Sequence, residues 1–335
     1  MHLVSIVMPA YNVSKYIAKT LDSIIEQTYS NWELIISDDC STDNTVDIIK
    51  EYQKKHSNIR LIKEKNNHCG ARIPRYNAIL AAKGEYICPI DADDYIEAHF
   101  LEKLIKKKEM TNADIVLCRM IICNEDLSRR DVSIPRKDYN INEIMTGIEA
   151  CRRTIGGWQI AMAGLLTKRK LYIDFIQQIN ITTFSESFAD EIDQRKFLLW
   201  ADNIAITDAH YFYRQQPNSV VHTTSLKAYN SLITNKTLLY FVIETFKDDK
   251  STMEKMYNEY IEKVYRAQQN YSLKCEQYKK EEKVKIKELI KQSYKCIKEH
   301  NMVFHGWRNK VLGTSLSIFR LYTYIVTLYI KLVGK

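Results

Sequence analysis

Three carboxylates, Asp91, Asp93 and Asp94, lie within four residues in the stretch GEYICPIDADDYIEAHFLEKLIKK, residues 84–107. Like charges at that spacing repel one another unless a cation sits among them. Hard oxygen ligands suit Mg2+ or Mn2+, which bind through one or two carboxylates and fill their other positions with water and diphosphate oxygens. The acids follow an apolar run, Tyr86, Ile87, Cys88 and Ile90, that reads as a short buried strand. A strand end of this kind is a place where a metal holds a diphosphate. The plainer alternative is an acidic helix start, because Asp in the first turn of the following helix is favoured by its dipole.

Other polar stretches also fall where apolar runs end. In SDDCSTDNT, residues 37–45, Ser41, Thr42 or Asp43 can cap a helix, which leaves Asp38 and Asp39 over. A carboxylate there can accept the N3–H of uracil, a base-reading role for Asp39. Pro9 and Asn12 in PAYN are ordinary turn residues. The loop and helix of NNHCGARIPRYNAILAAKGEY, residues 66–86, present Arg72 and Arg75 near a helix start, where phosphate is favoured. Neither G-x-G-x-x-G after the first strand nor G-x-x-x-x-G-K-[ST] occurs, which argues against a dinucleotide-dependent oxidoreductase and a P-loop NTPase.

The elements that must position these groups alternate. Strands are expected at Leu3–Met8, Trp32–Ser37, Ile59–Lys63, Tyr86–Ile90 and Asp114–Cys118, with helices near Lys15–Gln27, Asn44–His56, Arg72–Lys83 and Ala98–Glu109. Such alternation implies an α/β fold with a mainly parallel sheet flanked by helices, whose ligands gather at the carboxyl ends of the strands.

The order of motifs resembles the family 2 glycosyltransferases of the bacterial surface-polysaccharide type, which use the GT-A fold. The resemblance rests on VSIVMPAYNVSKYIAKTLDSIIEQTYSNWELIISDDCSTDNT, on Arg75 with AAKGEYICPIDADD, and on DEIDQRKFLLWADNIAITDAHYFYRQQPNSVVH, spanning roughly residues 3–222. It implies that Pro9, Tyr11 and Asp39 line a uridine pocket and that Arg75 approaches the diphosphate. It further implies that Asp91 meets the ribose or sugar, that Asp93 ligates Mn2+ or Mg2+, and that Arg214 and His222 hold phosphate or metal. Tyr76 departs from the family, which usually has Asn beside the arginine. The family also carries Glu-Asp before the apolar helix, the second acid acting as general base. Here the pair reads Asp190-Glu191, so Glu191 takes the base position and Asp190 remains the alternative. In the middle region Trp158, after Gly156 and Gly157, is either a core aromatic or a platform for a sugar face.

Charge and cysteines bound the rest. The 335-residue chain carries a formal charge of +8, which suits an anionic partner. Eight cysteines without a CxxC pair fit a reducing compartment. The N-terminus runs directly into a strand, so the expected location is cytoplasmic. Residues 1–225 read as the catalytic domain and 226–300 as an extension of one or two long solvated helices. Residues 301–335 read as a basic amphipathic segment. Within it, 304–335 carries Arg308, Lys310, Arg320, Lys331 and Lys335 and no acid. Lying in the interface of an anionic membrane is its expected placement, against docking on the protein's own core.

The expected activity is inverting, metal-dependent transfer from a UDP-sugar to a hydroxyl of a glycan or an undecaprenyl-diphosphate-linked oligosaccharide. The alternatives are a nucleotidyltransferase, which would release pyrophosphate, and a non-catalytic nucleotide-sugar-binding protein. No nucleic acid is expected as a partner, since the basic residues cluster in the C-terminal helices without a recognised nucleic-acid-binding motif.

Overall fold

The computed structural model describes residues 1–68, 70–126, 128–134, 140–156, 163–179, 189–215, 226–300, 302 and 315–333. They fall into two compact units: residues 1–154, 158–186 and 193–217, and residues 155–157, 187–192 and 218–335.

The first unit is built on a ten-stranded sheet. Its opening half alternates β1 (Val4–Ala10), α1 (Ile17–Ile25), β2 (Trp32–Asp38), α2 (Thr45–Lys55), β3 (Ile59–Lys63), α3 (Arg72–Ala81) and β4 (Tyr86–Pro89). Then come β5 (Tyr95–Ile96), α4 (Phe100–Thr111), β6 (Ile115–Cys123), β7 (Arg129–Ile134), β8 (Ile144–Met145), α5 (Gly147–Arg153), β9 (Leu166–Lys168), α6 (Arg169–Gln178), α7 (Ala189–Leu198), of which the residues from Asp193 on belong to this unit, and β10 (Ile204–Arg214). All five expected strands and all four expected helices are present, with boundaries moved by a few residues.

Every residue of β1 and β2 is buried, as expected of parallel strands covered on both faces. Helix α1 buries Ile17, Thr20, Leu21 and Ile24, one stripe at helical spacing. The path through the sheet runs β3-β2-β1-β4-β9-β6-β10-β5, with β7 on β6 and β8 on β10. From β3 to β4 all pairings are parallel. Beyond β4 the sheet is mixed, because β9 enters antiparallel between β4 and β6. This corrects the mainly parallel expectation: β9 has only three residues, too short to leave a periodic signal.

Register sets the site. Ala10 pairs with Asp38, and Val7 pairs with Pro89. The carboxyl ends of β1, β2 and β4 therefore open on the same edge. At its C-terminal end β10 pairs antiparallel with β5, Tyr211 opposite Ile96 and Phe212 opposite Tyr95, which carries β10 to the acidic loop.

The second unit takes in α8 (Leu226–Tyr229), α9 (Ser231–Phe246), α10 (Lys250–Lys274), α11 (Lys280–Glu299) and α12 (Leu316–Val333). Contrary to the expectation of solvated helices, they bury a core of their own. Leu238, Leu239, Val242, Met256, Tyr260, Val264, Ile286 and Ile290 are all fully buried. The abundant tyrosines take part in this packing, with Tyr271 stacked on Tyr278 at 6.3 Å and Tyr229 edge-on to Tyr278 at 5.9 Å. The seven described cysteines are free.

Close approach of β4 to β1 depends on Gly84. Its N–H donates to Ser5 Oγ at 2.8 Å, and a Cβ there would fall within 2.8 Å of Ser5 Oγ, Leu3 O and Ser5 N. Gly84→Ala is expected to lower stability by about 1–3 kcal/mol through overpacking. A urea titration with an unchanged m-value is the check.

Candidate nucleotide-diphosphate site

The loop after β1 is sewn to the loop after β2. Asn12, in the left-handed region at φ 50°, donates its N–H to Ser41 Oγ at 2.9 Å and accepts the Thr42 N–H at 2.8 Å. Val13 donates to Thr45 Oγ1 and Ser14 to Asp43. Pro9 is buried one residue before the end of β1, whereas Tyr11 is half exposed. Asp43 does not act as a helix cap; it accepts the N–H of Thr45, two residues on.

Asp39 is 2% exposed, and its two oxygens both face the His68 N–H at 2.9 and 3.0 Å. Burial pushes its carboxyl above the usual range, and the His68 N–H opposes that shift. Neighbouring Asp38 accepts the Ser41 N–H through Oδ2. Its buried Oδ1 makes no hydrogen bond among the described residues.

The three acids after β4 do not share one role. Asp91 accepts Arg75 Nη2 at 2.7 Å, and Asp93 is partly exposed. Asp94 is fully buried and turned inward. Its Oδ2 accepts the Tyr211 hydroxyl at 2.7 Å, and its Oδ1 accepts the Arg214 N–H at 2.8 Å. The same Tyr211 oxygen accepts the Asp91 N–H at 3.0 Å. From the other side, the Thr20 hydroxyl of α1 shares its proton between the carbonyls of Ala92 and Asp94, at 2.9 and 2.6 Å. Burial, then the charges of Asp93 and Asp91, pushes the Asp94 carboxyl well above the usual range.

Asp94 is therefore not part of an acidic cluster around a cation. Among the described residues no group of three or more His, Cys, Asp and Glu is placed to hold a metal. What remains is Asp93 with the Arg75-paired Asp91. An oxygen-only set of one or two carboxylates fits Mg2+ or Mn2+ completed by water and phosphate oxygens.

Arg214 ends β10 beside this loop. Its guanidinium is stacked 4.8 Å over the Tyr16 ring, and the residue is 4% exposed. Nε and Nη2 are buried and make no hydrogen bond among the described residues. Tyr16 in turn donates to Glu125 at 2.8 Å, and Lys15 pairs with the same carboxylate.

A second buried polar knot joins α3 to α7. Arg72 Nε and Nη2 donate to Asp193 at 2.5 and 3.1 Å, and the Tyr76 hydroxyl donates to Asp193 Oδ2 at 2.8 Å. The Arg72 and Asp193 side chains are 2% and 7% exposed. Tyr76, the departure from the family pattern, thus has a partner of its own. The reading of Arg72 as a phosphate ligand or surface residue is corrected, because its guanidinium is buried and paired with Asp193.

Glu191 belongs to the second unit. There its carboxylate lies 4.0 Å from Lys263 Nζ, which is also 3.7 Å from Glu259. The side chain of Asp190 and the whole of Trp158 and His222 lie outside the described residues. Tyr211, Tyr16 and Glu125 escaped sequence reasoning, since their roles come from pairings more than a hundred residues apart.

Tyr211→Phe leaves a buried carboxylate and the Asp91 N–H short of a partner, and is expected to cost about 1–3 kcal/mol. Arg72→Met strands Asp193 as a buried charge, with an expected loss of about 3–5 kcal/mol. Denaturant melts of the two variants beside the native chain measure both.

Comparisons with known proteins bear on the same region. Residues 5–163 match the family model described as Glycosyl transferase family 2, a span that contains Pro9, Tyr11, Asp39, Arg75 and the acidic loop. The chain is 28% identical over 224 residues to the glycosyltransferase GlyG of Streptococcus pneumoniae serotype 4, covering 66% of this chain and 73% of that one. It is 40% identical over 119 residues to the poly(ribitol-phosphate) beta-glucosyltransferase of Bacillus spizizenii, 35% of this chain and 19% of that one. Among solved structures, S. aureus TarS 1–349 in complex with UDP-GlcNAc superposes with a TM-score of 0.69 at 19% identity, covering 100% of this chain and 93% of that one. That likeness supplies the fold, a GT-A-like sheet with a helical C-terminal region. With the motifs at its strand ends and the family match running from β1 past the end of β4, residues 5–163 carry a glycosyl transferase family 2 domain.

Proposed function

We propose that the chain transfers a sugar from a UDP-sugar, with inversion, to a hydroxyl of a bacterial surface polymer or its lipid-linked precursor. The observation that carries the donor side is the Arg214 guanidinium. A cation buried beside the acidic loop, with two nitrogens making no hydrogen bond among the described residues, calls for an anion. Arg75 lies on the same edge, so the two guanidinium groups suit a diphosphate. Complexes of TarS with UDP and UDP-GlcNAc support a uridine donor. Relatives named for poly(ribitol-phosphate) and teichuronic acid support a surface polymer as acceptor.

In this reading Pro9 and Tyr11 flank the uracil and Asp39 accepts its N3–H. The carboxylate oxygens of Asp39 retain lone pairs beyond those engaged by His68. Asp93 would hold Mn2+ or Mg2+, which when bound offsets charge on the departing diphosphate, and Asp91 meets the ribose or the sugar. Arg75 and Arg214 add preorganised positive charge to the same leaving group. Glu191 takes the proton of the acceptor hydroxyl as that oxygen attacks the anomeric carbon from the face opposite UDP. One displacement inverts the configuration, as in single-displacement glycosidase chemistry. Asp190 is the alternative base and His222 a further phosphate or metal ligand. The setting that follows is the cytoplasmic face of the membrane, where such precursors are assembled.

The test is UDP release across a panel of UDP-sugars, with and without Mn2+. Asp93→Asn is expected to lower turnover about 100-fold or more, and chelation should abolish what manganese restores. Glu191→Gln is expected to retain UDP binding and lose about 100- to 10,000-fold in kcat. Loss from Asp190→Asn instead would move the base by one residue. Pyrophosphate as product would replace the reading with nucleotidyl transfer.

A further inference from the structure

Over its described side chains, residues 316–326, helix α12 packs one side on the protein and leaves another exposed. Phe319 and Thr323 are 2% and 0% exposed. Phe319 meets Tyr294 of α11 at 5.3 Å, and Tyr322 meets Tyr265 of α10 at 6.3 Å. This settles one expectation in part: α12 does dock on the second unit's own core. The opposite side is left to solvent, with Ile318 at 43%, Leu321 at 58%, Tyr324 at 55% and Ile325 at 54% exposed. These four recur at spacings of three and four, so they form one stripe. Arg320 is exposed at its margin.

We infer that this stripe is an interfacial contact for an anionic lipid surface, with α12 lying in the plane of the headgroups. The argument rests on no reading of the reaction. Spanning is not available: among the described residues no helix is long and apolar enough to cross a membrane, and Arg320 interrupts the run. The protein's own core already occupies the other side. A second copy of the chain is disfavoured by charge, because residues 304–335 carry five Lys and Arg residues and no acid. Two such segments laid face to face would set like charges against each other. A surface of anionic headgroups over acyl chains complements both features, since the aliphatic stripe enters the boundary while Arg320 meets phosphate.

The experiment is cosedimentation of the full chain with vesicles of phosphatidylcholine alone or mixed with phosphatidylglycerol. The expected result is binding to the mixed vesicles that weakens with added salt. The double variant Leu321→Asn/Ile325→Asn should bind at least about tenfold more weakly. Arg320→Gln should bind the mixed vesicles about fivefold more weakly, without change on phosphatidylcholine. All substituted positions are exposed, and circular dichroism checks that the variants fold. Native-like vesicle binding by the double variant overturns the inference, as does failure of the native chain to bind mixed vesicles. A concentration-dependent dimer that the double variant loses, without vesicle binding, overturns it in favour of pairing between copies.

Discussion

A carboxylate with no access to water must find donors inside the protein, and Asp94 is where this constraint organises the fold. It draws the Tyr211 hydroxyl and the Arg214 N–H from β10, and Tyr211 in turn receives the Asp91 N–H. One buried group thereby ties the loop that ends β4 to the strand that ends in Arg214. Thr20 of α1 holds the same loop from below. The arrangement also explains how three acids coexist in four residues. One faces inward among donors, one is paired with Arg75, and one is partly exposed.

The knot of Arg72, Tyr76 and Asp193 works by the same rule. A buried ion pair gives little net stability over an apolar replacement, but breaking it leaves a charge without compensation. It therefore specifies one relation between α3 and the part of α7 that begins at Asp193. Arg75 lies within one turn of both Arg72 and Tyr76 on α3, so the packing of this helix and the aim of Arg75 at Asp91 are set together.

Much of the catalytic half was legible because its information is local. Apolar runs and helical periodicity marked β1 to β4 and α1 to α4, and turn and capping residues marked where they end. Since β1, β2 and β4 are parallel neighbours, their polar ends had to share an edge. The short β9 left no period to read. The helical region read as solvated because its many Lys and Glu residues conceal a core made largely of tyrosine and aliphatic side chains. In α12 an apolar composition was visible, but not which side packs on Tyr294 and Tyr265.

The chain alone determined that carboxylates and arginines gather at strand ends, and the order of its motifs carried the resemblance to a family, because side-chain type and apolar periodicity are written residue by residue. Only the tertiary structure decided that Asp94 is a strut instead of a ligand and that Arg72 is committed to Asp193. It alone also decided that Arg214 is buried against Tyr16. Each of these depends on a partner far along the chain, and burial, which sets the cost of an unpaired charge, is a property that no local stretch of sequence possesses.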